Sequence, residues 1–313
     1  MSAAPSSAFG YGDPRGRREL RAQLAAYLAR VRGVRATPDQ IVICSGFTQA
    51  LALLGRVLAA SGATAIAVEA YGHLHHREVI AAQGLSARPV PVDDHGAVID
   101  AVGEVAGAGA VLLTPSHQFP LGMPLAPQRR SQAVRWAARA GGVVIEDDYD
   151  GEFRYDRRAI GAMQALAPEH VVYAGTASKT LSPAVRLAWL VLPARLLADV
   201  VEAKSLSDRH GSSLDELTLA ELIASGGYDR HVRRSRLRYR RRRDRLISAL
   251  APVRPEVRVT GVAAAAGRGL ALDGMRNFRP AGIAHPEALV LGYATPPAHA
   301  FTTAVTRLRA VLS

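Results

Sequence analysis

Val171-Val172-Tyr173-Ala174-Gly175-Thr176-Ala177-Ser178-Lys179-Thr180 begins as an apolar, β-rich run and ends on a glycine, small hydroxyl residues and a lysine. Leu181, Ser182 and Pro183 follow, and a second apolar run occupies Leu187 to Leu192. A strand that stops, presents an amine and turns back into a strand places that amine at the end of a sheet. Such a lysine can condense with a carbonyl as a Schiff base. Taken alone, the stretch reads more readily as a surface loop with a solvated lysine. The residues around it reverse that reading.

On both sides of this stretch, strands and helices alternate. Apolar strand runs occupy 41–44, 65–68, 87–92, 110–113, 142–145, 171–174 and 187–192, with helical patterns at 48–60, 77–82 and 127–140 between them. An earlier helix carries Leu20, Leu24, Tyr27, Leu28 and Val31 on one face. Continuously apolar strands separated by helices predict an α/β fold whose mostly parallel sheet is covered on both faces. Ligands of such sheets bind beyond the carboxyl ends of the strands. After about residue 203 helices dominate to 250. Short strands at 257–259 and 288–291 and a last helix at 298–312 follow, with a linker-like Gly- and Ala-rich stretch at 261–269. The expected division is a flexible arm at 1–10, a large domain at 11–205 and a small α+β domain at 206–313.

The bulk composition narrows the class. With 313 residues, 49% hydrophobic and 21% charged, the chain can bury one large core and a smaller one. The single cysteine, Cys44, excludes an internal disulfide and sits in the apolar run Ile41-Val42-Ile43-Cys44, as a core thiol does. The first residues lack a basic region followed by an apolar core, and no apolar run reaches the length of a membrane span. A cytoplasmic protein without a membrane partner is expected. Much of the net charge of +12 lies between Arg230 and Arg245, where Val232, Leu237, Tyr239 and Leu246 interrupt the arginines. The pattern reads as a long helix with a solvated basic face rather than a nucleic-acid patch.

Four strand ends carry polar groups that a core does not require. Ser45-Gly46-Phe47-Thr48 joins a strand to a helix, where a glycine allows close approach and helix N–H groups attract an anion. Glu146-Asp147-Asp148-Tyr149-Asp150-Gly151-Glu152 crowds carboxylates that repel one another. These acids could hold a hard cation, or one of them could face a protonated ring nitrogen. Thr176, Ser178 and Lys179 end the opening strand, and Arg186 follows with a guanidinium suited to phosphate. His117 and Gln118 follow the 110–113 strand as hydrogen-bond partners for a ring oxygen. An anion cradle, an acid, an amine and an arginine are the groups that pyridoxal 5′-phosphate requires.

These motifs, with Tyr11-Gly12-Asp13-Pro14-Arg15-Gly16, Thr114-Pro115-Ser116-His117-Gln118-Phe119-Pro120 and Leu289-Val290-Leu291-Gly292-Tyr293-Ala294, resemble the aminotransferase-like domain of MocR/GabR-type regulators. That domain is a fold-type I pyridoxal-phosphate transferase. The resemblance implies a seven-stranded, mostly parallel sheet and amino-group transfer between an amino acid or amine and a keto acid. It implies that Lys179 holds the cofactor as a Schiff base, that Asp147 keeps the pyridine nitrogen protonated and that Tyr149 contacts the phenolic oxygen. Gly46, Phe47, Thr48, Thr176, Ser178 and Arg186 surround the phosphate in this reading. His73 falls where relatives stack an aromatic on the ring, with Tyr71 as the alternative. Tyr11 matches a tyrosine that reaches the phosphate of a partner subunit, which implies a homodimer with shared sites.

The chain departs from the pattern in three ways. It begins just before Tyr11, without the winged-helix domain of the regulators, so direct DNA binding is not expected from it. The small domain looks shortened after Thr260-Gly261-Val262-Ala263. The last strand region lacks the arginine that holds a substrate carboxylate, leaving Arg276 and Arg279 as substitutes. A non-catalytic sensor of pyridoxal phosphate or amino compounds is therefore the alternative to a transaminase. A metal site at Asp147, Asp148 and Asp150 is a third reading that leaves Lys179 unexplained.

Overall fold

A computed structural model describes residues 10–153, 161–251, 272–280, 282, 288–291 and 299–312. Its centre is a seven-stranded sheet built from β1 (Ile41–Cys44), β2 (Ala65–Glu69), β3 (Ser86–Val90), β6 (Ala108–Leu113), β7 (Val143–Asp147), β8 (Val171–Thr176) and β9 (Ala188–Val191). A short antiparallel pair, β4 (Val92–Asp93) and β5 (Gly96–Ala97), stands apart from it. The sheet order is β1-β9-β8-β7-β6-β2-β3. The strands run parallel except β9, which is antiparallel to both β8 and β1. The turn-back anticipated after Lys179 is therefore real. Thr176 pairs with Ala188, and the lysine sits in the connection between them.

Period-two alternation sends successive side chains of each strand to opposite faces. Val42, Cys44, Ile66, Val68, Leu112, Ile145, Val172 and Leu190 meet α2 (Phe47–Ala60) and α5 (Ala194–Ser207) on one face. On the other, Ile41, Ile43, Tyr173, Trp189 and Val191 meet α1 (Arg18–Arg32), and Val111, Leu113 and Val144 meet α4 (Pro127–Ala140). Both faces are thus covered, which is why the strands read as unbroken apolar runs. Cys44 is buried in this core, and burial pushes its thiol up to about 12.

The helices after the sheet change the expected division at 205/206. Leu219, Ala220 and Ile223 of α6 (Ser213–Ala224) pack with α1, as do Tyr228 and Val232 at the start of α7 (Gly227–Leu250). The core of the sheet therefore continues to Val232, because α6 and the start of α7 cover the apolar stripe of α1. Beyond it, Leu246 and Leu250 form a separate cluster with Phe301 and Leu308 of α8 (Phe301–Leu312). Strands β10 (Leu272–Gly274) and β11 (Leu289–Leu291) pair antiparallel. Helix α3 (Leu74–Ala81) starts before the expected 77, and α8 starts after the expected 298. The arm at 1–9, the expected strand at 257–259, the linker at 261–269 and Gly292-Tyr293-Ala294 lie outside the described residues. Among the described residues no helix is long and apolar enough to cross a membrane.

One buried ion pair ties α1 to the end of β7. The Arg32 guanidinium donates to Asp148 from Nε at 2.7 Å and from Nη2 at 3.0 Å. Ser116 and Tyr173 hydroxyls each donate to the same carboxylate at 2.8 Å. Burial alone would raise the Asp148 pKa, but Arg32 and the two hydroxyls hold it below the usual carboxylate range. Removing one partner of such a pair strands a charge in the interior. Arg32→Ala is expected to lower stability by about 3–5 kcal/mol, read as a shift in the denaturant midpoint.

Candidate functional site

A cavity of about 210 Å³ opens where β2, β6, β7 and β8 end, at Glu69, Thr114, Asp147 and Thr176. At one end lies the connection between β1 and α2. Gly46 has φ +103, and a Cβ there would lie 2.9 Å from Nη2 of Arg186. Any side chain at 46 would both strain the backbone and displace the guanidinium. Arg186 itself adopts a left-handed φ of +51, rare for a residue with a side chain. Its Nη2 donates to the Ser45 carbonyl at 2.9 Å. Phe47 and Thr48, in the first turn of α2, line the same wall, and first-turn N–H groups lack intrahelical acceptors.

The lysine loop forms the next wall. The Thr176 hydroxyl donates to the Leu187 carbonyl at 3.1 Å and accepts from Ser178 N at 3.1 Å, clamping the loop across β8 and β9. On its far side the Thr180 hydroxyl donates to Glu152 at 2.7 Å, and His231 of α7 lies 2.8 Å from the Thr180 carbonyl. Lys179 and Ser178 remain on the cavity surface. Burial lowers the Lys179 pKa, against the attraction of Asp147 and Asp150.

The crowded acids separate once their partners are known. Glu146 accepts from the Met163 and Gln164 amides at 2.8 and 3.0 Å. Asp148 belongs to Arg32. Asp150 lies 2.9 Å from His117 Nδ1. Glu152 accepts from Tyr27 at 2.6 Å, from Thr180 and from Tyr228. Asp147 alone lines the cavity, and its carboxylate accepts no hydrogen bond from any described residue. Burial, then Asp148, pushes its pKa well up, and Lys179 opposes the rise. Among the described residues no group of three or more His, Cys, Asp or Glu is placed to hold a metal ion.

Ten of the twelve expected site residues line this one cavity: Gly46, Phe47, Thr48, His73, Asp147, Tyr149, Thr176, Ser178, Lys179 and Arg186. His73 stacks on Phe119 with ring centroids 4.2 Å apart. The Tyr149 hydroxyl donates to the His117 carbonyl at 3.2 Å. The other two lie elsewhere. His117 is not in the cavity lining, because the buried carboxylate of Asp150 draws its ring away. Tyr11 is 84% exposed, with the Arg209 guanidinium 4.5 Å from its ring centre. Of the two substitute arginines, Arg279 is half-buried and outside the lining, and the side chain of Arg276 is not among those described.

Sequence reasoning passed over several lining residues: Glu69, Thr114, Phe119, His76 and Arg77. Glu69 carried a readable signal, since like Asp147 it is an acid ending an apolar strand. It accepts from Thr114 N at 3.1 Å, and burial raises its pKa to about 7. Arg77 donates from Nη2 to the Glu69 and Ala70 carbonyls at 2.8 and 3.1 Å. Nothing in the local pattern of α3 marks it as a cavity residue.

With fold and site in place, the comparisons with known proteins fall into line. The family model for aminotransferase class I and II matches residues 2–265, and the chain belongs to that family. It is 38% identical to the uncharacterized HTH-type transcriptional regulator YdeL of Bacillus subtilis, over 74% of this chain and 50% of that one. It is 31% identical to the probable rhizopine catabolism regulatory protein MocR of Rhizobium meliloti, over 75% and 47%. The chain thus spans about half the length of these curated relatives. Among solved structures, LysN, an alpha-aminoadipate aminotransferase from Thermus thermophilus complexed with N-(5'-phosphopyridoxyl)-L-leucine, superposes with a TM-score of 0.81. Its identity is 27%, over 97% of this chain and 83% of that one.

The buried acids make stability depend on pH. A carboxylate whose folded pKa is raised binds its proton more tightly in the folded state. Stability then falls as pH rises from the unfolded value, about 4.3 for Glu, and levels off above the folded one. Glu69 and Glu146, both raised to about 7, lie in this class. Glu69→Gln is expected to remove on the order of 3 kcal/mol of that fall. Thermal midpoints at pH 5 and pH 8 should therefore differ less in the variant than in the wild-type protein.

Proposed function

We propose that the chain binds pyridoxal 5′-phosphate through Lys179 and moves an amino group between an amino acid or amine and a keto acid. One observation carries this reading: Asp147 and Lys179 line one cavity, and neither side chain is hydrogen-bonded to a described residue. A buried acid and a half-buried amine, neither hydrogen-bonded to a described residue, are costly unless a ligand engages them. A ligand with a cationic ring nitrogen, an aldehyde and a phosphate engages both, together with the Gly46–Arg186 end.

When bound, the cofactor supplies an electron sink for charge developing beside the substrate nitrogen. The chain's own residues do the rest. Burial favours the neutral form of the Lys179 amine, which suits it for attack on an aldehyde carbon. Once released, Nζ can take a proton from one carbon and return it to another. The Asp147 carboxylate holds the proton on a ring nitrogen. The first turn of α2, Thr176, Ser178 and Arg186 receive the phosphate. The Tyr149 hydroxyl would turn from the His117 carbonyl to donate toward the phenolic oxygen, and His73 and Phe119 wall the ring. His117 then acts at one remove, by holding Asp150. Tyr11, exposed on this chain, would complete the site of a second copy in a homodimer.

Titration with pyridoxal 5′-phosphate should produce a visible absorption band that Lys179→Ala abolishes. An unchanged band in that variant would overturn the assignment. A second reading is favoured by the 38% identity to an HTH-type regulator: the same site senses an amino compound without turning it over. Incubation of the loaded protein with a panel of amino acids distinguishes the two. Full conversion of the cofactor to its amine form indicates transfer, whereas a shifted band that reverts on dialysis indicates sensing.

A further inference from the structure

The outer face of α7 takes no part in the cavity. Arg233, Arg234, Arg240 and Arg241 are exposed there, and exposed Leu237 lies among them. At 3.6 residues per turn, positions 233, 234, 237, 240 and 241 fall within an arc of roughly 120° and span about 12 Å of helix. None of the four arginines makes a hydrogen bond or ion pair with a described residue. Their neighbours differ in this respect. Arg236 donates to the Glu152 carbonyl and Arg245 to Thr302. Asp244, the one carboxylate on the arc, is already engaged by Arg243 at 2.8 Å.

This arrangement works against the helix that carries it. Like charges three or four residues apart destabilise a helix, and α7 places Arg230, Arg234 and Arg238 in that relation, as well as Arg236 and Arg240. The face has a single large apolar residue, Leu237, which is 53% exposed. That is too little for a membrane-surface helix, which needs an apolar stripe. It is also too little for the desolvated aromatic or aliphatic centre of a protein interface. A regular row of guanidinium groups matches a regular row of phosphates.

We propose that the outer face of α7 docks on the phosphate backbone of a nucleic-acid duplex. The contact is sequence-independent, since the face offers charge and no residues ordered to read bases. It does not depend on the cofactor reading.

The test is fluorescence anisotropy of a labelled 30-base-pair duplex with the whole chain at 50 and 200 mM salt. Two variants are compared, one with Arg→Gln at 233, 234, 240 and 241. The other removes the same charge elsewhere, with Arg→Gln at the exposed positions 18, 35, 56 and 139. The α7 variant should bind at least tenfold more weakly at 50 mM salt. Its log–log salt slope should shrink by roughly 3.6, near 0.9 for each of the four lost phosphate contacts. The control should stay within about threefold of wild type. Should the α7 variant lose helical signal, Arg234→Glu and Arg241→Glu singly replace it, each expected to weaken binding severalfold. Absence of duplex binding by the wild-type protein would overturn the proposal. So would equal losses in the two variants, or tighter binding to polyglutamate or phosphatidylserine vesicles than to the duplex.

Discussion

Arg32 and Asp148 meet in the interior at 2.7 Å, and the site depends on that contact. Three acids stand in a row at the end of β7, and they can coexist only if each is differently compensated. Arg32 neutralises the last one, Asp148. Glu146 turns back onto two amides, and Asp147 is left to face the cavity. Without the guanidinium, Asp148 would add an uncompensated charge beside Asp147 and compete with it for any cation. A pair that looks structural thus decides which carboxylate is available to a ligand.

The same logic of spent and unspent groups runs through the lysine loop. Thr176 clamps the loop on one side of Lys179. Thr180 ties the other side to Glu152, which also receives the hydroxyls of Tyr27 and Tyr228. His231 adds a contact from α7. The loop is therefore held by α1, α7 and two strands at once, and the Lys179 side chain makes no hydrogen bond to a described residue. Fixing the backbone around a reactive group while leaving the group free is how a site is pre-organised.

Family membership defines the scaffold more firmly than the activity. The chain shares its fold with an aminotransferase and matches about half the length of regulators. One scaffold can serve turnover or sensing, because the difference lies in what the site does after binding. In the cavity wall His73 stacks on Phe119, and Arg77 spends one nitrogen on backbone carbonyls.

The sequence alone determined the succession of strands, the turn-back after Lys179 and ten of the residues that line the cavity. Apart from His73, which the family resemblance supplied, these follow from local facts: apolar runs, their spacing and the polar residues that end them. It could not sort the acids of 146–152, because their roles depend on Arg32, His117, Met163 and Tyr27, which are far from them in the chain. For the same reason the local pattern points His117 at the ring, whereas Asp150 holds it outside the cavity lining. The change of pattern near 205 likewise suggested a boundary, while the packing of α6 on α1 carries the core to Val232. Local pattern sets which residues reach the strand ends. Only the tertiary structure decides which of them already have partners, and so which remain free for chemistry.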